Sequence, residues 1–172
     1  GAGAAMVTVV MALRAPGALE AVAASAAAVC LMHMQGEPQR MQQAPCYTDV
    51  VEEVKGFLQD RVAACEAAGI GRERLVIDPG FGFGKTLEHN LALLRHLNRL
   101  AELGVPVLAG LSRKSMLGTL TGRDVGAREF AGVAAHLAAV ARGARLVRVH
   151  NVAAMRDALA IWNAVEEQQD GT

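Results

Sequence analysis

Four stretches of this chain combine residue types that could hold a flat, anionic ligand. They are Asp78 with the run Pro79-Gly-Phe-Gly-Phe-Gly-Lys-Thr86, the loop Ser112-Arg-Lys-Ser115, the pair Arg148 and His150, and His33. A carboxylate ending a strand can accept two parallel hydrogen bonds from an amidine-like edge such as an aminopyrimidinone ring. The glycines after it let backbone come close to such a ligand. The alternative for a lone aspartate is a helix cap or a loop brace. In the second stretch two cations and two hydroxyls follow a strand directly. Lys114 could hydrogen-bond a ring carbonyl or steady a carboxylate, and Ser115 could donate to the same carboxylate; two adjacent cations also suit a solvated loop. Arg148 and His150, two apart on an expected strand, share one side, with Val147 and Val149 on the other. An arginine beside a histidine makes an anion site, the arginine suited to bidentate phosphate contact, while a buried structural role stays open for His150. His33, between Met32 and Met34, suits loop bracing and ligand contact equally.

The glycines do not make a nucleotide loop. Gly84-Lys85-Thr86 ends like a Walker sequence, but its first glycine would fall at Pro79, and Lys85 occupies the third glycine slot of GxGxxG. Phe81 and Phe83 either present an aromatic face or pack beneath the loop. The five histidines are scattered, with His89, His96 and His136 inside helix patterns, so no metal cluster is expected from the chain itself. No Ser-His-Asp or Cys-His arrangement emerges.

The elements that must position these residues alternate. Helices are expected over 18–28, 48–68, 86–104, 127–142 and 152–167, and strands over 29–33, 75–78, 105–111 and 146–149. Val51, Val54, Leu58 and Val62 recur at helical intervals before Gly69, and Thr86 can cap the helix through Leu91, Leu94, Leu97 and Leu100. Nearly continuous apolar strands between helices argue an α/β fold with a buried parallel sheet. Polar residues collect where each strand stops, at the carboxyl ends that form the ligand face of such folds.

Length and composition bound the rest. At 172 residues the chain fits one domain, with 17 basic and 17 acidic side chains and no net charge. No basic run suggests nucleic acid. Cys30, Cys46 and Cys65 lie far apart, as reduced thiols of a cytoplasmic protein would. Residues 1–13 lack the basic start of a signal peptide, and the Ala-rich stretch 21–32 is too short to span a bilayer, so no membrane partner is expected.

In order and spacing, Cys30-Leu-Met-His-Met-Gln-Gly36, Asp78-Pro-Gly-Phe-Gly-Phe-Gly-Lys85, Ser112-Arg-Lys-Ser115 and Arg148-Val-His150 together resemble the dihydropteroate synthases. These are folate-pathway enzymes inhibited by sulfonamides, and the likeness runs across about residues 12–165. Related methyltetrahydrofolate-binding methyltransferases share the pterin-binding barrel but are not expected to carry the Ser-Arg-Lys-Ser loop. The resemblance implies a TIM-type (β/α)₈ barrel that joins 4-aminobenzoate to 6-hydroxymethyl-7,8-dihydropterin diphosphate, releasing pyrophosphate with magnesium as cofactor. By position it implies pterin contacts at Asp78, Lys114, Met32 and Gly82, and a diphosphate grip at Arg148, Val149 and His150. It also implies an aminobenzoate pocket bordered by Phe83, Lys114 and Ser115, with Lys114, Arg148 and His150 as the catalytic set. A homodimer is expected on the same ground.

A complete barrel takes about 250 residues, so residues 1–172 would form one partial domain, from about strand four or five to strand eight. Residues 1–11 are expected to be an atypical or truncated start. The family's Asn-Asp of the fourth strand falls at Thr8-Val9, and its magnesium-binding asparagine is not among these residues. The competing expectation is a truncated, catalytically impaired pterin-fold module that acts as a binding or assembly partner. A generic phosphosugar barrel would explain Arg148 but not the Asp78 and Lys114 loops together.

Overall fold

The run Leu75-Val-Ile-Asp78 carries no polar residue until its last position, and in the computed structural model it forms a strand buried along its whole length, β3 (Leu75–Asp78). The structure describes residues 5–36 and 45–166. A strand buried on both faces needs neighbours at both edges. On one edge β2 (Ala28–Met32) pairs in parallel, setting Met32 opposite Asp78, and on the other lies β4 (Val107–Ala109). Beyond them β1 (Met6–Val9) and β5 (Ala144–Val147) complete a parallel sheet in the order β1-β2-β3-β4-β5 among the described residues.

Parallel neighbours need crossovers, and helices supply them. They are α1 (Ala18–Ala23), α2 (Val50–Ala67), α3 (Leu87–Arg95) with α4 (Asn98–Ala101), and α5 (Ser115–Thr121) with α6 (Glu129–Val140). A last helix, α7 (Val152–Glu166), follows β5. Val29, Leu31, Leu75, Ile77, Val107 and Ala109 join Val54, Leu58, Leu93, Leu100 and Ala139 of the helices in one core. The alternate strand residues Cys30, Val76 and Leu108, with Met6 and Leu146 beside them, form a separate, smaller cluster. Consecutive strand order, with the main core on one face of the sheet, is the winding of a barrel and not of a doubly wound sheet, whose order reverses.

Several expected boundaries move for local reasons. The helix expected over 48–68 starts at Val50 because Asp49 caps it, its carboxylate accepting from Val51 and Glu52 N–H. Thr86 caps α3 as expected, its hydroxyl accepting from His89 N–H while His89 Nδ1 accepts from Thr86 N–H. The helix expected over 86–104 is nevertheless two helices. Its backbone leaves helical values at His96, and α4 sets Arg99 and Glu102 against Glu52 and Lys55 of α2. The strand expected over 105–111 shortens because Pro106 has no N–H for a ladder, although its carbonyl accepts from Ile77.

The strand expected over 146–149 runs instead from Ala144 to Val147, so Arg148, Val149 and His150 follow a strand and do not lie on one. Arg148 N–H makes the last bond, to Ala109 O at 2.9 Å, and His150 N–H turns to Ser112 Oγ. The helix expected over 18–28 stops at Ala23, where Ser25 Oγ takes up the Val22 carbonyl. That expected over 127–142 begins at Glu129 behind a 3₁₀ turn, Val125–Ala127. Residue 167 and the first four residues of the expected atypical start lie outside the described residues. Apolar periodicity gave no strand at β1, although the resemblance set a fourth strand at Thr8-Val9, and it gave no place to α5.

Candidate active site

Strand β3 carries Asp78 to the carboxyl end of the sheet, where it is 1% exposed. Its Oδ1 accepts from Gly80 N–H at 2.7 Å and its Oδ2 from Arg148 Nη2 at 3.0 Å. Burial pushes the carboxyl above its ordinary range, while the Gly80 N–H, Arg148 and Lys114 pull it back. At Gly80 φ is +69°, and an added Cβ would collide with the carbonyl oxygen of His33. The turn after Asp78 therefore lies backbone against backbone on the end of β2.

Lys85 holds that turn from beneath. It does not reach outward as a phosphate-binding lysine would; it is 3% exposed, and its Nζ donates to Gly80 O, Phe83 O and His33 Nδ1, each at 3.0 Å. Burial, only partly opposed by the charge of Asp78, lowers the Lys85 pKa to about 7. Burial first, then the cations of Lys85 and Arg14, lower that of His33 to about 3. His33 packs edge-on to Phe57 at 4.9 Å, so of its two readings the structure selects bracing.

The two phenylalanines divide the two roles open to them. Phe81 is 1% exposed in the core, whereas the half-buried Phe83 ring lies 4.2 Å from Lys114 Nζ. Two supports of this loop were missed in the sequence. Asn90 Oδ1 accepts from Gly82 N–H at 2.8 Å while its Nδ2 donates to Thr86 O, and Tyr47 Oη donates to Gly84 O at 2.9 Å. An asparagine on the apolar stripe of α3 was the available signal for the first; Tyr47 had none.

After β4 the chain turns through Arg113, a non-glycine residue with φ +61°, and brings Lys114 over Gly82. A Cβ added at Gly82 would lie 3.2 Å from Lys114 Cδ. Burial lowers the Lys114 pKa, with Asp78 opposing and Arg148 adding to the effect. Arg128 Nη1 donates to the carbonyls of Arg113 and Lys114 at 3.2 and 3.5 Å, a tether that the sequence did not signal. Ser115 is exposed as the first residue of α5 and is not among the residues lining the cleft beside Lys114.

That cleft, of about 360 Å³, is lined by Phe83, Gly110, Ser112, Lys114, Arg148, Val149 and His150. Arg148 and His150 thus share a side as expected, although no strand alternation places them there. Met32 is buried beneath the Gly80 turn. On the inner face of the sheet, burial first and the charge of Asp78 next push the Cys30 thiol up to about 12, which disfavours its thiolate. His136, fully buried, accepts from Leu111 N–H through Nε2 and meets Gly132 O through Nδ1, a core role. Among the described residues no three His, Cys, Asp or Glu side chains gather to hold a metal ion. Nor is any described helix long and apolar enough to cross a membrane.

A family model for pterin binding enzymes matches residues 1–150, which takes in every residue of this cleft. The chain belongs to the pterin binding enzyme family. This family member is 57% identical over 159 residues to the dihydropteroate synthase of Neisseria meningitidis serogroup C, covering 91% of this chain and 56% of that protein. To the Haemophilus influenzae dihydropteroate synthase it is 49% identical over 155 residues, covering 90% of this chain and 56% of that protein. The Stenotrophomonas maltophilia dihydropteroate synthase, solved with imidazole in its active site, superposes with a TM-score of 0.93 at 60% identity, covering 95% of this chain and 62% of that one. The Xanthomonas albilineans enzyme in complex with 7,8-dihydropteroate gives 0.89 at 57% identity, covering 95% and 60%. The chain spans a little over half the length of the curated relatives it matches.

Proposed function

We propose that this protein acts as a dihydropteroate synthase, joining 4-aminobenzoate to 6-hydroxymethyl-7,8-dihydropterin diphosphate with loss of pyrophosphate. The observation that carries the reading is a cleft lined by Lys114, Arg148, His150 and the Phe83 ring, with the buried Asp78 behind it and bonded to Arg148. Asp78 is the acceptor for the aminopyrimidinone edge, with Met32 and Gly82 bounding the pterin and Lys114 contacting its ring. Arg148 and His150, with the Val149 backbone, take the diphosphate; Phe83 and Lys114 border the aminobenzoate, and Ser115, outside the lining of the cleft, would reach it only from the start of α5.

Arg148 would be shared between two anions. In the structure it neutralises Asp78, and a carboxylate oxygen can accept more than one hydrogen bond. An arriving diphosphate would draw the guanidinium toward itself and free Oδ2 for the pterin edge. The C–O bond to the diphosphate then breaks with its electron pair on the departing oxygen, where Arg148 and His150 stabilise the charge. The arylamine lone pair forms the C–N bond, and the nitrogen gives up a proton. The neutral amine is nucleophile enough without a strong base at the site.

The five strands are read as about the fourth to the eighth of a (β/α)₈ barrel in one domain. Magnesium is expected to accompany the diphosphate; the described residues offer no cluster to hold it, and the chemistry derived from this chain's residues uses none. A cytoplasmic homodimer sensitive to sulfonamides completes the reading. A non-catalytic pterin-fold module is the less favoured alternative, and saturable binding of both substrates without turnover would restore it.

Calorimetric titration with pyrophosphate and magnesium, then with 4-aminobenzoate, tests the assignment. Arg148→Ala should weaken pyrophosphate binding about ten- to hundredfold, since charge-assisted bonds are lost, and 4-aminobenzoate binding far less. Equal losses for both ligands would count against the diphosphate role.

A further inference from the structure

Strand β4 runs out into Gly110, Leu111 and Ser112, and each of the three holds one part of the cleft rim. At Gly110 the absence of a side chain leaves room for the Arg148 guanidinium, whose Nη2 would lie 2.8 Å from an added Cβ. Leu111 N–H donates to His136 Nε2 at 3.1 Å, tying the strand end to α6. Ser112 Oγ lies 2.8 Å from His150 Nδ1 and also accepts from the His150 backbone N–H at 3.4 Å. The backbone proton takes one of the two lone pairs of the hydroxyl oxygen, and the hydroxyl's own proton has Nδ1 within reach as an acceptor. A hydroxyl that donates to Nδ1 leaves the neutral ring's proton on Nε2. His150 stands past the end of β5 and is exposed, so no strand ladder or core packing orients its ring.

We propose that Ser112 is a positioning residue that holds His150 as an Nε2–H donor at the anion end of the cleft. The inference rests on the diphosphate reading of that cleft. Ser112 acts through His150: it sets the tautomer and direction of the ring, and His150 with Arg148 receives the charge that develops on the departing oxygen. The second bond, to the His150 backbone, fixes where the ring is rooted as well as which nitrogen bears the proton. Serine is small enough to do both from the loop between β4 and α5. Alanine could do neither, and threonine would keep the hydroxyl.

The test measures pyrophosphate binding by calorimetry on the 172-residue chain and reads the His150 ring nitrogens by long-range ¹H–¹⁵N spectra. Ser112→Ala, with an unchanged circular dichroism spectrum, should weaken pyrophosphate about five- to tenfold, the scale of one lost hydrogen bond. It should also shift the ring signals from the Nε2–H pattern toward a mixture of tautomers. Ser112→Thr should restore both readouts, and Ser112→Ala should add no further loss in a His150→Ala background. Unchanged binding and an unchanged ring spectrum in Ser112→Ala would overturn the positioning role while leaving the diphosphate reading intact. Absence of pyrophosphate binding by the folded wild-type chain would overturn the diphosphate reading, and this role with it.

Discussion

A methyl group at Gly80 would collide with the carbonyl oxygen of His33, whereas one at Gly110 would press on Arg148 Nη2 at 2.8 Å. The first neighbour is backbone and cannot move; the second is the end of a long, half-exposed side chain. Gly80 also holds φ at +69°, where an L side chain is strained. Gly80→Ala should therefore lose at least about 2 kcal/mol of stability, seen as a lower denaturation midpoint. Gly110→Ala should unfold near the wild-type midpoint yet bind pyrophosphate about tenfold more weakly, because one charge-assisted contact is displaced. A midpoint as low as that of Gly80→Ala would show that Gly110 serves packing alone. At this scale residue type singled out Asp78 at the end of β3, Lys114 in the loop after β4 and Arg148 just past β5, and the structure brings the three near one another. The rejection of a phosphate loop at Gly84-Lys85-Thr86 agrees with the Lys85 ammonium, which points inward to three partners, although residue type did not foretell that bracing role.

The elements hold these residues by their ends more than by their lengths. Thr86 and His89 exchange hydrogen bonds at the start of α3, one turn before Asn90 reaches back to Gly82. Thr86→Ala should destabilise the chain by about 1 kcal/mol, and the lost cap should raise hydrogen exchange at Gly82 above that at the β3 amides. Equal exchange at both would show that the cap does not support the turn. Cap and strand signals are local, so Thr86, Gly69 and the run Leu75–Asp78 were legible in the sequence. The single helix expected over 86–104 was not. Its apolar spacing continues past His96, and only contact with α2, through Arg99 and Lys55, gives the bend a purpose. The strand ends at β4 and β5 were also misplaced, since the Pro106 gap and the capture of His150 by Ser112 are relations between segments.

For the molecule as a whole, the pair beneath the glycine turn links stability to pH. His33 has its pKa lowered to about 3 from an ordinary 6.5, by burial first and by Lys85 and Arg14 next. Between those values the unfolded chain binds a proton that the folded chain refuses, so stability falls as pH falls through that window. Lys85, lowered to about 7 from 10.5, acts with the same sign at higher pH: stability gained as pH rises from about 7 toward 10.5. Asp78, whose carboxyl burial raises, acts with the opposite sign above its ordinary range. The His33 contribution is thus the part of the denaturant midpoint that rises between about pH 4 and pH 6. His33→Gln should flatten that rise, and an equally steep rise in the variant would remove His33 as its source. The sequence by itself determined the class of fold, most of the segments that form strands and helices, and the carboxyl ends where the chemistry gathers. Those follow from apolar periodicity and residue type, which are properties of neighbours along the chain. Only the tertiary structure decided that Asp78 meets Arg148 across 70 residues, that Phe81 is buried while Phe83 faces Lys114, and that Ser112 turns His150. Each of these depends on the spacing between strand ends, which parallel pairing sets and which no local pattern encodes.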